Sequence, residues 1–159
     1  MLSEIDRRYL QQAIELARHA RANDNHPFGA VLVDRDGNLL LKAENTVVTS
    51  RDCTGHAETN LMRLASQWFD RAFLATCTIY TSTEPCAMCA GAIHWAGVGR
   101  VVYALSEARL YELIGSHPRN ETMRLPCREV FARCDRSIIV VGPVMEDEAA
   151  EVHQGFWTH

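Results

Sequence analysis

The chain has 159 residues, 47% hydrophobic and 23% charged, with a formal net charge of −4. That length suits one globular domain, residues 1–159, which can bury a core without disulfides. The composition excludes disordered and collagen-like classes, and twenty acidic against sixteen basic side chains argue against a protein that chiefly grips phosphates.

Ser3 opens an amphipathic helix with Asp6 at the reciprocal capping position. Leu10, Ala13, Ile14, Ala17 and Ala20 then recur at helical spacing as far as Asn23. After Asn25-His26-Pro27 the residues Gly29–Val33 read as a strand. Asp34-Arg35-Asp36-Gly37-Asn38 is the turn of a hairpin that returns along Leu39–Ala43. The polar stretch Asn45–Asp52 leads to a helix from Thr54 to Phe69. Thr78–Ser82 is a β-branched strand running through Thr83-Glu84-Pro85 into a helix at Cys86–Ala96. Arg100–Ala104 is a strand, Ser106–Ile114 a helix, Ser137–Val141 a strand, and a last helix begins at Glu146. The segment Ser116–Arg136, with two prolines and five arginines, takes no assignment and fits a functional loop. An opening hairpin followed by alternating strands and helices predicts an α/β fold, a three-layer α/β/α sandwich around a mixed five-stranded sheet.

The N-terminus has early acids and no apolar run, unlike a secretory signal. No stretch approaches the ~18 apolar residues of a membrane span. Six cysteines in such a chain point to the reducing cytoplasm, and Cys86-x-x-Cys89 then reads as metal or redox chemistry.

The sharpest pattern is His56-Ala57-Glu58, then twenty-six residues, then Pro85-Cys86-Ala87-Met88-Cys89. One imidazole and two thiolates are good zinc ligands and leave a fourth tetrahedral position for water. Both segments open predicted helices, where unpaired N–H groups and the helix dipole favour thiolates. Residues two apart within a helix face different ways, so His56 and Glu58 share a site only if His56 stands at the very start of its helix. Glu58 is then a proton carrier and not a ligand. The alternative is a closed structural site in which Cys53 adds a fourth protein ligand to His56, Cys86 and Cys89; the chain is then a non-catalytic, zinc-stabilised binding module.

This pattern resembles the cytidine deaminase-like zinc deaminases. From about Pro27 to Ala104 the chain is similar to guanine deaminases and related nucleobase deaminases. The similarity is carried by Pro27-Phe28-Gly29-Ala30, Asn45, His56-Ala57-Glu58 and Thr81-Ser82-Thr83-Glu84-Pro85-Cys86-Ala87-Met88-Cys89. It continues through Gly91-Ala92-Ile93-His94-Trp95-Ala96. The resemblance implies one zinc per chain, held by His56, Cys86 and Cys89, and hydrolytic deamination of a free nucleobase, guanine first, with Glu58 as proton carrier. It also implies that Asn45 bonds the base edge, Phe28 lines the pocket and Trp95 lies near the ring. Backbone N–H groups around Ala57 and Cys86 are expected to orient the base. A homodimer and a C-terminal cap, Phe156-Trp157-Thr158-His159, are expected on the same grounds.

Guanine deaminases usually read the base with a carboxylate in the loop that here is Gly115-Ser116-His117-Pro118, which has none; Glu112 and Glu121 are the candidates to replace it. The tRNA adenosine deaminases share the metal motif and are the alternative. They require a basic surface, for which Arg119, Arg124, Arg128, Arg133 and Arg136 are the available residues.

Overall fold

A computed structural model describes residues 2–158. In chain order the elements are α1 (Glu4–Ala22), β1 (Gly29–Val33), β2 (Leu39–Glu44), α2 (Val47–Ser50), α3 (Ala57–Trp68), α4 (Arg71–Leu74) and β3 (Thr78–Thr83). They continue with α5 (Ala87–Ala96), β4 (Arg100–Leu105), α6 (Glu107–Ile114), α7 (Cys127–Ala132), β5 (Ile139–Val141) and α8 (Glu146–Glu151). The sheet has the order β2-β1-β3-β4-β5. Pairings of β1 with β2 and β3 are antiparallel, and those of β4 with β3 and β5 are parallel.

Side chains alternate across a strand with period two, so a continuous apolar run feeds both faces of a sheet. Strand β1 does this: Ala30 and Leu32 enter one core, Val31 and Val33 the other. The first core is shared with Leu61 and Ala65 of α3, Ala90 and Ile93 of α5, and Phe131 of α7. The second holds Leu10 and Ile14 of α1, Leu110 of α6 and Ala149 of α8. The fold is therefore α/β, a mixed five-stranded sheet with helices on both faces. Strand β1 lies so close to α1 that a Cβ on Gly29 would fall 2.4 Å from the Ala13 carbonyl oxygen.

Departures from the expected elements have local causes. The helix expected from Thr54 begins at Ala57, because Asp52 Oδ1 accepts from both Thr54 N–H and Thr54 Oγ1 and holds a turn there. The stretch 45–52 contains a short helix, since Asn45 Oδ1 accepts from Val47 N–H and Asn25 Oδ1 from the N–H groups of Val48 and Thr49. The unassigned segment contains α7, and β5 is two residues shorter than expected. Among the described residues no helix is long and apolar enough to cross a membrane.

One buried ionic network ties α1 to the sheet. Asp6, 3% exposed, completes the α1 capping box with Ser3. It accepts two bonds from Arg100, of 2.8 and 3.0 Å, and one of 2.7 Å from Tyr80 Oη. Burial alone would raise the Asp6 carboxyl, but the Arg100, Tyr80 and Ser3 hydrogen bonds hold it well below the usual carboxylate range. Its stabilisation is present above the unfolded aspartate value, roughly pH 4, and fades as the pH falls below that. Removing Arg100 strands a buried charge. Because that guanidinium is 29% exposed, Arg100→Leu should cost about 2–4 kcal/mol at pH 7. Urea denaturation at pH 7 and pH 3 checks this, the difference between variant and parent shrinking at the lower pH.

Candidate metal centre and active-site cavity

The antiparallel and parallel pairings bring four chain segments to one edge of the sheet. The C-terminal ends of β2, β3 and β4 and the N-terminal end of β1 all lie there. This is the edge at which open α/β sheets bind ligands. Phe28 thus stands beside the end of β3, where Gly29 N–H donates to Ser82 Oγ at 3.1 Å, and Asn45 N–H donates to the Phe28 carbonyl at 3.0 Å.

Helices α3 and α5 begin at this edge, with His56 and Cys86 as their N-cap residues in extended conformation. Neither side chain caps its own helix, so both are free to face each other. His56 Nδ1 lies 3.5 Å from Cys86 Sγ and 3.5 Å from Cys89 Sγ, and the three ligand atoms fall within 4.8 Å of one another. Zinc bonds of roughly 2.0–2.1 Å to nitrogen and 2.3 Å to sulfur, at a tetrahedral angle, set an N···S edge of about 3.5 Å. The donor set fits the ion. Cys86 is drawn down to about 4, chiefly by its hydrogen bond with Cys89 and then by that with His56, which suits a thiolate ligand. Thr59 Oγ1, 3.2 Å from Cys89 Sγ, orients the second thiolate.

His56 precedes the helix and Glu58 sits in its first turn, so the two side chains meet at one site. Glu58 is 7% exposed. In the protein alone, burial and then the Cys86 charge push its carboxyl up to about 7. Cys53 is exposed and is not part of the ligand cluster, which among the described residues has three protein donors.

That cavity has a volume of about 710 Å³, with His56, Glu58, Cys86 and Thr83 at one end. One wall is His26, Phe28, Phe156 and Trp157, another Leu110, Tyr111 and Ile114, and the rim carries Arg119, Asn120 and Glu121. Of the two acids proposed to read the base, Glu121 is on the cavity and Glu112 is not. Asn45 and Ala57 are buried and are not among the residues that line the cavity. Asn45 Oδ1 accepts from Val47 N–H. Trp95 corrects the expectation. It lies near the far end of α5, 75% exposed, and does not line the cavity, because nine residues of helix carry it away from Cys86.

Three features escaped the sequence reading. Thr83 Oγ1 is buried at the cavity without a hydrogen-bond partner among the described residues. Glu84 accepts from Glu107 N–H at 3.0 Å and from Cys127 N–H at 2.9 Å. It holds the first residues of α6 and α7, one from each helical layer, beside the metal centre. Glu84 stood in the motif itself, but nothing in the pattern told which N–H groups it meets. His26 and His153 join the aromatic wall, His153 being 5.3 Å from the Phe28 ring; as isolated histidines they gave no signal. Of the C-terminal cap, His159 lies outside the described residues.

Residues 3–105 match the cytidine and deoxycytidylate deaminase zinc-binding region. The chain belongs to this family of zinc-binding deaminases. It is 42% identical to a probable cytosine deaminase of Schizosaccharomyces pombe over 156 residues, 98% of this chain and 94% of that one. It is 43% identical to the guanine deaminase of Bacillus subtilis over 97 residues, 60% of this chain and 62% of that one. Among solved structures, a guanine deaminase from Nitrosomonas europaea superposes with a TM-score of 0.77 at 27% identity, covering 98% of this chain and 85% of the other.

Metal analysis of purified variants tests the ligand set. Cys53→Ala should hold zinc as the parent does, whereas Cys86→Ser or His56→Ala should lose about tenfold or more in affinity. Zinc loss from Cys53→Ala would mean that the site is a closed, four-ligand one.

Proposed function

We propose that this protein hydrolytically deaminates a free nucleobase, guanine being the leading candidate, and releases ammonia. The carrying observation is Glu58, buried beside three converging zinc ligands at the end of an aromatic-walled cavity. Zinc held by His56, Cys86 and Cys89 supplies a Lewis acid that makes water nucleophilic near neutral pH. Glu58 takes the proton that water gives up and delivers it to the ring nitrogen next to the carbon bearing the amino group. It then carries the second proton to the departing amine, so that water and aminoheterocycle become oxoheterocycle and ammonia. Phe28, Phe156 and Trp157 offer flat apolar faces to a ring. Glu121 at the rim offers a carboxylate to the ring N–H and exocyclic amino donors of guanine. Cytosine is the second reading, favoured by similarity along nearly the whole chain to the S. pombe relative.

The arginines that a tRNA substrate would need are largely engaged within the fold. Arg128 donates to Tyr103 Oη and the carbonyls of Val140 and Gly142, and Arg136 to those of Ile93, His94 and Val98. Arg124 stacks on Tyr111. This favours a free base over a nucleic acid.

Glu58→Gln should keep zinc and lose turnover by about 10²–10⁴-fold. Ammonia release from guanine, cytosine, adenine and their nucleosides, with that variant as control, measures both substrate and mechanism. Full activity in Glu58→Gln would remove the proton-carrier role.

A homodimer in a reducing cytoplasm completes the reading; none of the six cysteines is joined in a disulfide among the described residues. Helix α5 is apolar on nearly every face, yet Trp95 is 75% exposed. Trp68, the last residue of α3, is 72% exposed, and Arg71 at the start of α4 donates to the Trp95 carbonyl. Met88 and Gly91, partly exposed on the same helix as Trp95, bear no charge and suit the same surface of a second copy. Sedimentation should give twice the 17.9 kDa chain mass, and Trp95→Asp should shift it to the monomer with zinc retained.

A further inference from the structure

Arg21 lies in the last turn of α1, and among the described residues it forms no ion pair. Its Nη1 donates instead to the Val152 carbonyl at 2.8 Å and the Gln154 carbonyl at 2.7 Å. Helix α8 ends at Glu151, so these carbonyls have no further turn to bond, and a cation there also meets the negative end of the helix dipole. Nη2 of the same guanidinium passes over Gly155, whose φ of +73° turns the chain back. The guanidinium carbon then lies 5.5 Å from the centre of the Phe156 ring. One side chain thus contacts every second residue or so from 152 to 156.

The returned chain builds the cavity wall. Trp157 sits 5.7 Å from His26 and 6.3 Å from Phe28, ring centre to ring centre. Its Nε1–H donates to His153 Nδ1 at 3.0 Å with the two rings stacked, which requires a neutral His153. Burial, and then the Arg21 charge, bring that imidazole down to about 4. The outer tie is weaker: Asn120 Nδ2 donates to the Trp157 carbonyl at 3.2 Å. Arg21 never reaches the metal centre, yet it is the charged anchor of the segment that closes the cavity.

We propose that Arg21 is a positioning residue, which latches residues 152–157 over the cavity and through Phe156 and Trp157 sets affinity for a flat free base. This rests on the deaminase reading above. The latch acts on substrate binding and leaves the proton path through Glu58 in place.

The test uses the full zinc-loaded chain with Trp68→Phe and Trp95→Phe, so that Trp157 is the only indole. In Arg21→Ala, acrylamide should quench Trp157 more strongly while zinc content and thermal unfolding stay close to the parent. The KM for guanine or cytosine, whichever the parent turns over, should rise about tenfold as charge-assisted bonds are lost, with kcat within about threefold. Arg21→Lys, which keeps a donor but not the stacking, should fall between. Unchanged quenching, or a loss confined to kcat, would overturn the latch. If the parent releases ammonia from neither base, the deaminase reading fails by itself. Quenching of Trp157 still decides the latch, and protection of that indole by added guanine replaces KM as the measure of affinity.

Discussion

Two helices beginning at the same point govern this molecule. The N-cap residues of α3 and α5 face each other with His56 Nδ1 and Cys86 Sγ 3.5 Å apart. Everything else that the site needs follows from that meeting. Positive helix ends favour thiolates, Cys89 enters from the first turn of α5, and Glu58 enters from the first turn of α3. The convergence is possible because β3 passes directly into α5 while the turn at Asp52–Gly55 delivers α3 to the same edge. Shifting either helix start by one residue would rotate a ligand by about 100° and dismantle the cluster.

The sheet supplies the platform and the connections supply the chemistry. Strand β3 is buried along nearly its whole length, so its end cannot drift, and Glu84 fixes what lies beyond it. By accepting from the first residues of α6 and α7, this carboxylate joins the metal turn to both helices that flank the loop at the cavity rim. The family's chemistry belongs to the metal turn, while the shape offered to a substrate belongs to that loop and the C-terminal segment.

Stability and site depend on one another through α1. Its first turn is fixed to the sheet by Asp6, Arg100 and Tyr80, and its last turn reaches the C-terminal segment through Arg21. The helix spans the sheet and transmits no chemistry of its own, but it sets where the aromatic wall can stand. Burying an ion pair at one end and engaging a lone guanidinium at the other are costly unless every partner is present.

By itself the sequence determined the period and the motif. The short apolar runs of Gly29–Val33 and Arg100–Ala104, helical spacing in residues 3–23, and the spacing of His56, Glu58, Cys86 and Cys89 were all legible, because each is a local pattern. The sequence also showed that His56 had to precede its helix if Glu58 was to share the site. Tertiary structure alone decided which residues form the walls. Trp95 stood in the resembling motif but faces outward, whereas His26 and His153 lay outside any pattern and line or support the cavity, and only the structure separates Glu121, on the cavity, from Glu112. The roles of Glu84 and Arg21 were equally hidden, since their partners lie 23 to 133 positions away. A metal motif is written in short intervals along two helix starts. A cavity wall is assembled from distant segments by the strand order, and no local periodicity records that order.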